Sequence, residues 1–369
     1  MITVLSVVGT RPEVIKMAPV LGALDRENGR VRSILCSTGQ HRELVDQALR
    51  IFDLRPDVSL GVMQPDQSLS RLTSSLFTAL DAVVRDVQPD WIIAQGDTTS
   101  VMVSAMTAYY QHLPFAHVEA GLRTGDRTRP FPEEMNRVVA DKLADLMFAP
   151  TERARRNLIA EGAADSAIRV TGNTVVDALM AIASRDYDWA CGRLAFLPQD
   201  RRLVMITAHR RESFGETLRH QCDAVRELAR RFAADTHFVW PVHPNPHVVE
   251  PVRALLGRVP NVSLVDPLDY VSQVQLMRRA ALILTDSGGI QEEAPTFGVP
   301  VLVLRENTER PEGIEAGVAR LVGSDPARIV AEASRLLEDP VAHAAMATGS
   351  NPYGDGRAAG RIVDALLQA

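Results

Sequence analysis

The feature of this sequence that most constrains its fold is an alternation of apolar, β-branched runs with amphipathic helical stretches. In the first half, the strand-like runs cover residues 2–8, 33–37, 91–94 and 115–118. The alternation restarts after about residue 170, with strand-like runs at 203–207, 237–242, 262–265, 282–285 and 299–304. Strands that are apolar on both faces are typical of parallel sheets covered by crossover helices. Two doubly wound domains in tandem are favoured over one sheet of so many strands.

The sequence therefore predicts an α/β protein with two Rossmann-like doubly wound domains facing a cleft. We place the first domain at residues 1–170 and the second at 171–353, and a last helix within 354–369 could pack on either. A chain of 369 residues is long enough for two domains of ordinary size. Ligands of open α/β sheets bind at the carboxyl ends of the strands, so functional residues should lie in the turns that follow strands.

Composition and charge exclude several classes of protein. The net charge of −6 provides no basic surface for nucleic acid or for an anionic membrane. No apolar run reaches the roughly 18 residues that span a bilayer, and the apolar residues 2–8 lack the flanks of a signal peptide. The scattered Cys36, Cys191 and Cys222 favour neither a disulfide framework nor a metal cluster. We expect a cytoplasmic protein that binds neither nucleic acid nor membranes.

A small-residue turn between a strand-like run and a helix-like run indicates an anion site. Ser287, Gly288 and Gly289 follow the apolar residues 280–284. The free N–H groups of a helix start attract phosphate, and the missing glycine side chains permit its close approach. Two carboxylates follow at 292–293, which suggests that a group with hydroxyls, such as ribose, lies beside the phosphate. The combination predicts a nucleotide ligand.

Basic residues follow the first strand-like run. Gly9 permits a tight exit from the strand, and Arg11 and Lys16 then lie near a helix start, where cations oppose the helix dipole. An anionic ligand explains them, although both could be surface residues. A single glycine is too few for a dinucleotide-binding fingerprint.

Acidic residues lie at consecutive exits from strands in the first half. Asp97 could be a helix cap, and Glu119 could form an ion pair with Arg123. Glu133 follows a proline at a helix start, where acidic residues are common. As a set, however, the three acids can reach one cleft.

In the second half of the chain, two histidines and an arginine also follow strand-like runs. His209 could be a hydrogen-bonded structural histidine, but its place at a strand end favours a role in the site. His243, in a proline-rich loop, could bind a ligand or only brace the turn. Arg310 could pair with phosphate. The sequence has no residue spacing typical of a zinc or serine-hydrolase site.

Together these segments resemble the non-hydrolysing UDP-N-acetylglucosamine 2-epimerase family. The matching segments occur in family order and cover nearly the whole chain: GTRPE at 9–13, QGDTT at 95–99, HVEAGLRT at 117–124, PEE at 132–134, TGNT at 171–174, HRRE at 209–212, DSGG at 286–289, ERPE at 309–312 and NPYGDG at 351–356. The resemblance implies a glycosyltransferase-B-like fold, a C-terminal helix that crosses back to the first domain, a homodimer and no cofactor.

The resemblance also implies the reaction and the residues that perform it. The reaction interconverts UDP-GlcNAc and UDP-ManNAc by anti elimination of UDP to 2-acetamidoglucal and re-addition of UDP. The acid–base and charge-stabilising set corresponds to Asp97, Glu119, Glu133 and His209. The UDP contacts correspond to Arg11, Ser287, Gly288, Glu293 and Arg310, with Lys16, His243 and Gly289 as further site candidates and no metal. Clustered carboxylates should raise at least one carboxyl pKa towards neutrality. A hydrolysing relative, a glycosyltransferase and a nucleotide-sugar-binding protein without catalysis remain alternatives.

Many bacterial members of this family have a second, activating UDP-GlcNAc site. Gln40 and His41 match its residues and are candidate allosteric contacts. In some members a basic residue precedes the position of Gln67, whereas this chain has Asp66 there. Because an acid repels a diphosphate, we expect activation that is weaker or built differently.

Overall fold

The structure is a computed structural model that describes residues 1–39, 42–64, 66–210 and 213–369. The chain divides into two compact units, Met1–Ala178 with Gly354–Ala369, and Leu179–Tyr353. The predicted boundary at 170 precedes this division, which falls within helix α7 (Thr174–Ala183). Among the described helices, none combines the length and the apolar character that crossing a membrane requires.

The first unit is built on a parallel sheet. Its described strands are β1 (Ile2–Val8), β2 (Val31–Ser37), β3 (Val58–Ser59), β4 (Trp91–Gln95), β5 (Phe115–Val118), β6 (Leu146–Ala149) and β7 (Ile168–Val170). They lie in the order β3-β2-β1-β4-β5-β6-β7, and each neighbouring pair is parallel. This is the doubly wound order with an added edge strand, so the direction of winding reverses between β1 and β4.

Helices connect these strands and cover the sheet. They are α1 (Arg11–Arg26), α2 (Arg42–Ile51), α3 (Leu69–Val87), α4 (Thr99–Tyr110), α5 (Glu133–Leu143), α6 (Glu152–Ala160) and, after the second unit, α15 (Ala358–Gln368). The last helix packs against α1. Asp177 of α7 accepts hydrogen bonds from Ala358 N and Ala359 N at 3.2 and 2.9 Å, which caps the start of α15.

The second unit repeats the pattern. Its described strands are β8 (Arg202–Thr207), β9 (Thr236–Pro241), β10 (Val262–Val265), β11 (Ala280–Thr285), β12 (Val301–Val303) and β13 (Ala319–Leu321). The parallel order β10-β9-β8-β11-β12-β13 places the reversal between β8 and β11. The helices are α8 (Glu216–Arg231), α9 (Pro246–Leu256), α10 (Tyr270–Arg279), α11 (Gly288–Glu293), α12 (Pro311–Glu315), α13 (Pro326–Glu338) and α14 (Pro340–Ala347).

The strands that the sequence predicts are confirmed, and all of them except the partly buried edge strand β10 have mostly buried side chains. Phe115 and Trp240, for example, are fully buried in the cores of the two units. The sequence missed β3, β6, β7 and β13, which are two to four residues long. Such short runs lack the periodicity that distinguishes a strand from a loop.

Candidate active site

The strand order decides which turns are neighbours. In the first unit the turns after β1 and β4 flank the reversal of winding, and the turn after β5 lies next to them. In the second unit the turns after β8 and β11 flank the corresponding reversal. In open α/β sheets this point is where ligands bind. Most of the site residues that the sequence predicts lie in these five turns or begin the helices that follow them.

A buried carboxylate joins the turns after β1 and β4. Oε2 of Glu13 accepts hydrogen bonds from Gly9 N and Thr10 N at 2.6 and 2.7 Å, and Oε1 accepts one from Thr98 Oγ1 at 2.5 Å. Gly9 is required here by space, because an added Cβ would lie 2.6 Å from the hydroxyl of Ser100. The tight exit that the sequence predicted for Gly9 is therefore a matter of packing and not of backbone conformation.

Asp97 is oriented by side chains of α5. Its carboxylate accepts a hydrogen bond from Nη2 of Arg137 at 2.5 Å, and its backbone carbonyl accepts one from Nδ2 of Asn136 at 2.9 Å. The residue that caps α4 is Thr98. The alternative that Asp97 is only a helix cap is therefore wrong.

Glu119 is held in an uncommon conformation. Its φ of 68° lies in the left-handed region, which is costly for residues with a side chain and is enriched at functional sites. Oε2 accepts hydrogen bonds from Nζ of Lys16 at 2.5 Å and Nε2 of Gln95 at 2.7 Å. The predicted alternative pair with Arg123 is wrong, since that guanidinium binds Asp141 and Glu161. The structure thus brings together one predicted catalytic residue and one predicted substrate contact.

The charged groups of Glu133 and Arg11, unlike those of Asp97 and Glu119, form no ion pair with a described side chain. Both are half-buried first residues of helices, α5 and α1. The adjacent Glu134 has a structural role, because its Oε1 accepts hydrogen bonds from Thr124 N and Gly125 N at 2.9 and 3.0 Å. In the part of the chain that the structure describes, no side chain pairs with the carboxylate of Glu133 or the guanidinium of Arg11. Both groups are available to a ligand.

In the second unit, a fully buried acid orients His209. Oδ2 of Asp286 accepts hydrogen bonds from His209 N at 2.8 Å, Arg210 N at 2.9 Å and Ser213 Oγ at 3.2 Å. Nδ1 of His209 lies 3.3 Å from Oδ1 of the same carboxylate. Asp286 therefore links the turns after β8 and β11, and its carboxylate lies beside the ring of His209.

The rings of His209 and His243 stack with their centroids 5.7 Å apart. Nδ1 of His243 accepts a hydrogen bond from Asn245 N at 3.2 Å, so the ring also braces its own loop. His209 is 42% exposed, which distinguishes it from a buried structural histidine. Burial still lowers the pKa of His209, against the opposing charge of Asp286, which favours the neutral ring that can accept a proton.

The glycine turn has basic and acidic neighbours. Ser287 is the N-cap of α11, and an added Cβ on Gly288 would lie 3.5 Å from Nη2 of Arg210. A Cβ on Gly289 would lie 3.4 Å from Oε1 of Glu293. The turn therefore combines backbone N–H groups, a guanidinium and a carboxylate within a short distance. The N–H groups and the guanidinium are the donors, and the carboxylate the acceptor, that the nucleotide prediction requires.

Arg310 is already bound to a carboxylate in the structure. Its Nε donates a hydrogen bond to Oε1 of Glu292, and its backbone carbonyl accepts one from the hydroxyl of Tyr353 at 3.2 Å. The neighbouring Glu309 binds Arg305 and Arg210. Although burial opposes ionisation, these cations lower the pKa of Glu309 to about 2. The Arg310 turn is thus a network of ion pairs and not a set of free cations.

A raised carboxyl pKa is found at Glu13, which is not one of the clustered carboxylates for which the sequence predicted a rise. Burial raises the pKa of Glu13 to about 7, despite the hydrogen bonds that favour its ionised form, and the nearby charge of Asp97 adds to the rise. Sequence reasoning missed Glu13 because a glutamate at the third helical position is also ordinary helix-start chemistry. Gln40 and His41 lie outside the described residues, whereas Asp66 is described and has a φ of 53°.

Comparison with known proteins assigns the family. Residues 23–367 match the family model for UDP-N-acetylglucosamine 2-epimerase. The chain belongs to this epimerase family. Among its relatives, the UDP-N-acetylglucosamine 2-epimerase of Salmonella typhimurium is 48% identical over 369 residues, which cover 98% of each chain.

Solved structures of this epimerase family share the fold. The Neisseria meningitidis UDP-GlcNAc 2-epimerase bound to UDP-GlcNAc matches with a TM-score of 0.88 and 42% identity over 100% of both chains. The Methanocaldococcus jannaschii enzyme in complex with UDP-GlcNAc and UDP matches with a TM-score of 0.79 and 30% identity, again over 100% of both chains. The predicted fold class, two parallel-sheet α/β domains of the glycosyltransferase-B-like type, is confirmed.

The link between Asp286 and His209 leads to a first testable prediction. In Asp286→Asn the amide lacks the charge that favours protonated His209, so the pKa of His209 should fall further. The buried N–H groups of His209 and Arg210 also lose a charged acceptor, at a cost of about 2 kcal/mol in stability. An NMR titration of the histidine ring and a thermal unfolding curve measure the two effects. Ser213→Ala is the control, because it removes a hydrogen bond to the same oxygen without changing charge. An unchanged titration in Asp286→Asn would contradict the assigned link.

Proposed function

We propose that this chain is a non-hydrolysing UDP-GlcNAc 2-epimerase that interconverts UDP-GlcNAc and UDP-ManNAc. The observation that carries the proposal is the pairing of Glu119 with Lys16 beside the Asp97–Arg137 pair, in turns that follow adjacent strands. Carboxylates that are oriented by cations can exchange a proton and stabilise a cation-like sugar. Membership of the family supports the substrate class.

The proposed chemistry is an elimination followed by an addition. A base removes the proton on C2 while the bond between C1 and the UDP oxygen breaks, so UDP leaves with the electron pair and 2-acetamidoglucal forms. A proton then adds to the opposite face of C2, and the UDP oxygen attacks C1 again. The C2 proton is weakly acidic, so the base must be positioned and the developing charges stabilised. We assign this work to Asp97, Glu119, Glu133 and neutral His209.

The second unit contains most of the residues that we propose bind UDP. The backbone N–H groups of Gly288 and Gly289 suit the diphosphate, with Arg210 beside them. The N–H of Ser287 donates instead to Oγ1 of Thr285 at 2.9 Å. Glu293 suits the ribose hydroxyls. Arg310 would have to exchange Glu292 for the diphosphate, or share it. Arg11, in the first unit, is kept as a proposed UDP contact because the resemblance to the family implies that role. UDP must be bound tightly because the same molecule has to stay in the site until it adds back to C1 of the sugar.

Two further proposals concern assembly and location. The first is a homodimer, which the sequence resemblance to this family implies. The cysteines Cys36, Cys191 and Cys222 are free thiols, which supports a reducing cytoplasm.

Hydrogen exchange at C2 distinguishes the proposal from its alternatives. Incubation with UDP-GlcNAc in D2O should produce both epimers of the intact nucleotide sugar, each with deuterium at C2, as followed by NMR. Free sugar as the main product would instead identify a hydrolysing enzyme. A glycosyltransferase or a binding protein would leave the C2 hydrogen unexchanged, and that result would reject the proposal.

A further inference from the structure

A buried histidine lies behind the turns that carry the proposed catalytic acids. His117, on β5, has no exposed surface. Its Nδ1 lies 2.6 Å from Oδ1 of Asp141, and its Nε2 lies 2.7 Å from the backbone oxygen of Gly96. Both partners present only acceptor oxygens towards the ring when Asp141 is ionised. A neutral imidazole has one N–H and would direct a lone pair at one of these oxygens.

The surroundings of Asp141 keep its carboxylate ionised. Its Oδ2 accepts a hydrogen bond from Gly121 N at 3.1 Å and lies 2.7 Å from Nη2 of Arg123. Although burial by itself raises the pKa of Asp141, His117 and Arg123 lower it below the usual value. A shared neutral pair, with the proton on Asp141, is therefore disfavoured, and both ring nitrogens of His117 must donate.

The charges that face His117 are balanced. Asp141 approaches from α5 and Arg123 from the turn after β5, while Glu161, after α6, neutralises Arg123 through two hydrogen bonds of 2.7 Å. The Gly96 carbonyl and the ring of Phe115, whose centroid is 6.1 Å away, also lie next to the imidazole. With a charged His117 the cluster has no net charge. Burial alone would lower the pKa of His117, but Asp141 and the Gly96 carbonyl raise it above 6.5.

The contacts of this cluster hold both acid-bearing turns. Gly96 directly precedes Asp97, so the bond from His117 Nε2 fixes the backbone from which that side chain projects. Gly121 lies two residues after Glu119, and its N–H binds the same Asp141 that orients the ring. The left-handed φ of Glu119 is the kind of conformation that persists only where surrounding contacts impose it.

We propose that His117 is a positioning residue that is doubly protonated at neutral pH and holds the turns bearing Asp97 and Glu119 in place. It does not contact the reacting atoms. Its effect on catalysis rests on the proposed epimerase function, whereas its protonation state does not. A displacement of reacting groups by about 1 Å can reduce the rate roughly 100-fold. Loss of the His117 hydrogen bonds should therefore reduce kcat roughly 100-fold and change KM much less. The kcat of the wild-type enzyme should decline as the pH rises through the pKa of His117, because the ring then loses its hydrogen bond to Gly96 or Asp141.

The protonation state is tested on the unmodified protein. Histidine-selective ¹⁵N labelling and two-bond ¹⁵N–¹H correlation at pH 7 should show one ring with protons on both nitrogens, which is absent from His117→Gln. Buried His237, which shares a hydrogen bond with Ser263 and whose pKa is lowered by burial, is the neutral comparison. A lone pair on either nitrogen of His117 at pH 7 would overturn the proposal, whatever the enzyme activity.

The positioning role is tested by kinetics. In His117→Gln, the amide can still donate to Gly96 but carries no charge, so kcat should fall and the high-pH decline at the pKa of His117 should disappear. The control His237→Gln removes a buried ring from the second unit and should leave kcat within about twofold. An unaltered kcat in folded His117→Gln would overturn the role. If that variant does not fold, the wild-type enzyme decides, because activity that stays constant while His117 loses its proton also overturns it. Absence of any epimerisation by the wild type would reject the proposed function and leave the NMR result standing.

Discussion

Glu119→Gln should reduce kcat roughly 10³-fold, which corresponds to about 4 kcal/mol of transition-state stabilisation. Glutamine has the same shape and can accept the hydrogen bonds from Lys16 and Gln95, so the turn should be retained. The left-handed backbone at this residue costs the same for both side chains. The loss is therefore of negative charge and basicity. Steady-state kinetics with UDP-GlcNAc, together with C2 deuterium exchange, measure it.

A matched control separates this effect from the loss of an ion pair. Glu332 is a partly buried glutamate of the second unit that binds Arg320 and Arg335. Glu332→Gln should lower stability about as much as Glu119→Gln and should leave kcat nearly unchanged. Equal effects of the two substitutions on kcat would show that Glu119 acts only through structure, and so would a Glu119→Gln enzyme with wild-type exchange.

The second large effect is a pH-dependent gain of stability in Glu13→Gln. The pKa of Glu13 is raised from 4.5 to about 7 in the folded protein. Below pH 4.5 the carboxyl is protonated whether the chain is folded or unfolded, and it makes no pH-dependent contribution. Between pH 4.5 and 7 the unfolded chain releases this proton more readily, so the folded state is progressively disfavoured. The penalty is complete above pH 7 and amounts to roughly 3 kcal/mol.

Glutamine cannot ionise, so the variant avoids this penalty. The difference in stability between Glu13→Gln and the wild type should therefore grow by roughly 3 kcal/mol from pH 4.5 to pH 8, as measured by thermal and urea unfolding. Thr98→Val offers an independent check, because the Thr98 hydroxyl stabilises the ionised form. Its removal should move the pH dependence to higher pH. Parallel stability curves for the wild type and Glu13→Gln would contradict the assigned ionisation.

The same glutamate shows where sequence reasoning stops. A carboxyl three residues into a helix is common, and nothing in the sequence says that it is buried against the next turn of the sheet. The structure shows that Glu13 binds Thr98, which is distant in sequence, because β1 and β4 are neighbours. The pairing of Arg137 with Asp97 and that of Asp141 with His117 could not be predicted from the sequence, because these residues too are distant along the chain.

The sequence by itself determined the α/β class, most of the strands, the turns that bear the chemistry and the family. These features are local, since a buried strand needs a run of apolar residues and an anion-binding turn needs small residues before a helix. Only the tertiary structure decided the strand order and therefore the partners of the ionisable groups in the candidate site. Glu119 with Lys16, Asp286 with His209 and Asp141 with His117 are each more than twenty residues apart in sequence. Pairing of distant strands and packing of helices on the sheet bring them together, and no periodicity along the chain encodes which elements will meet.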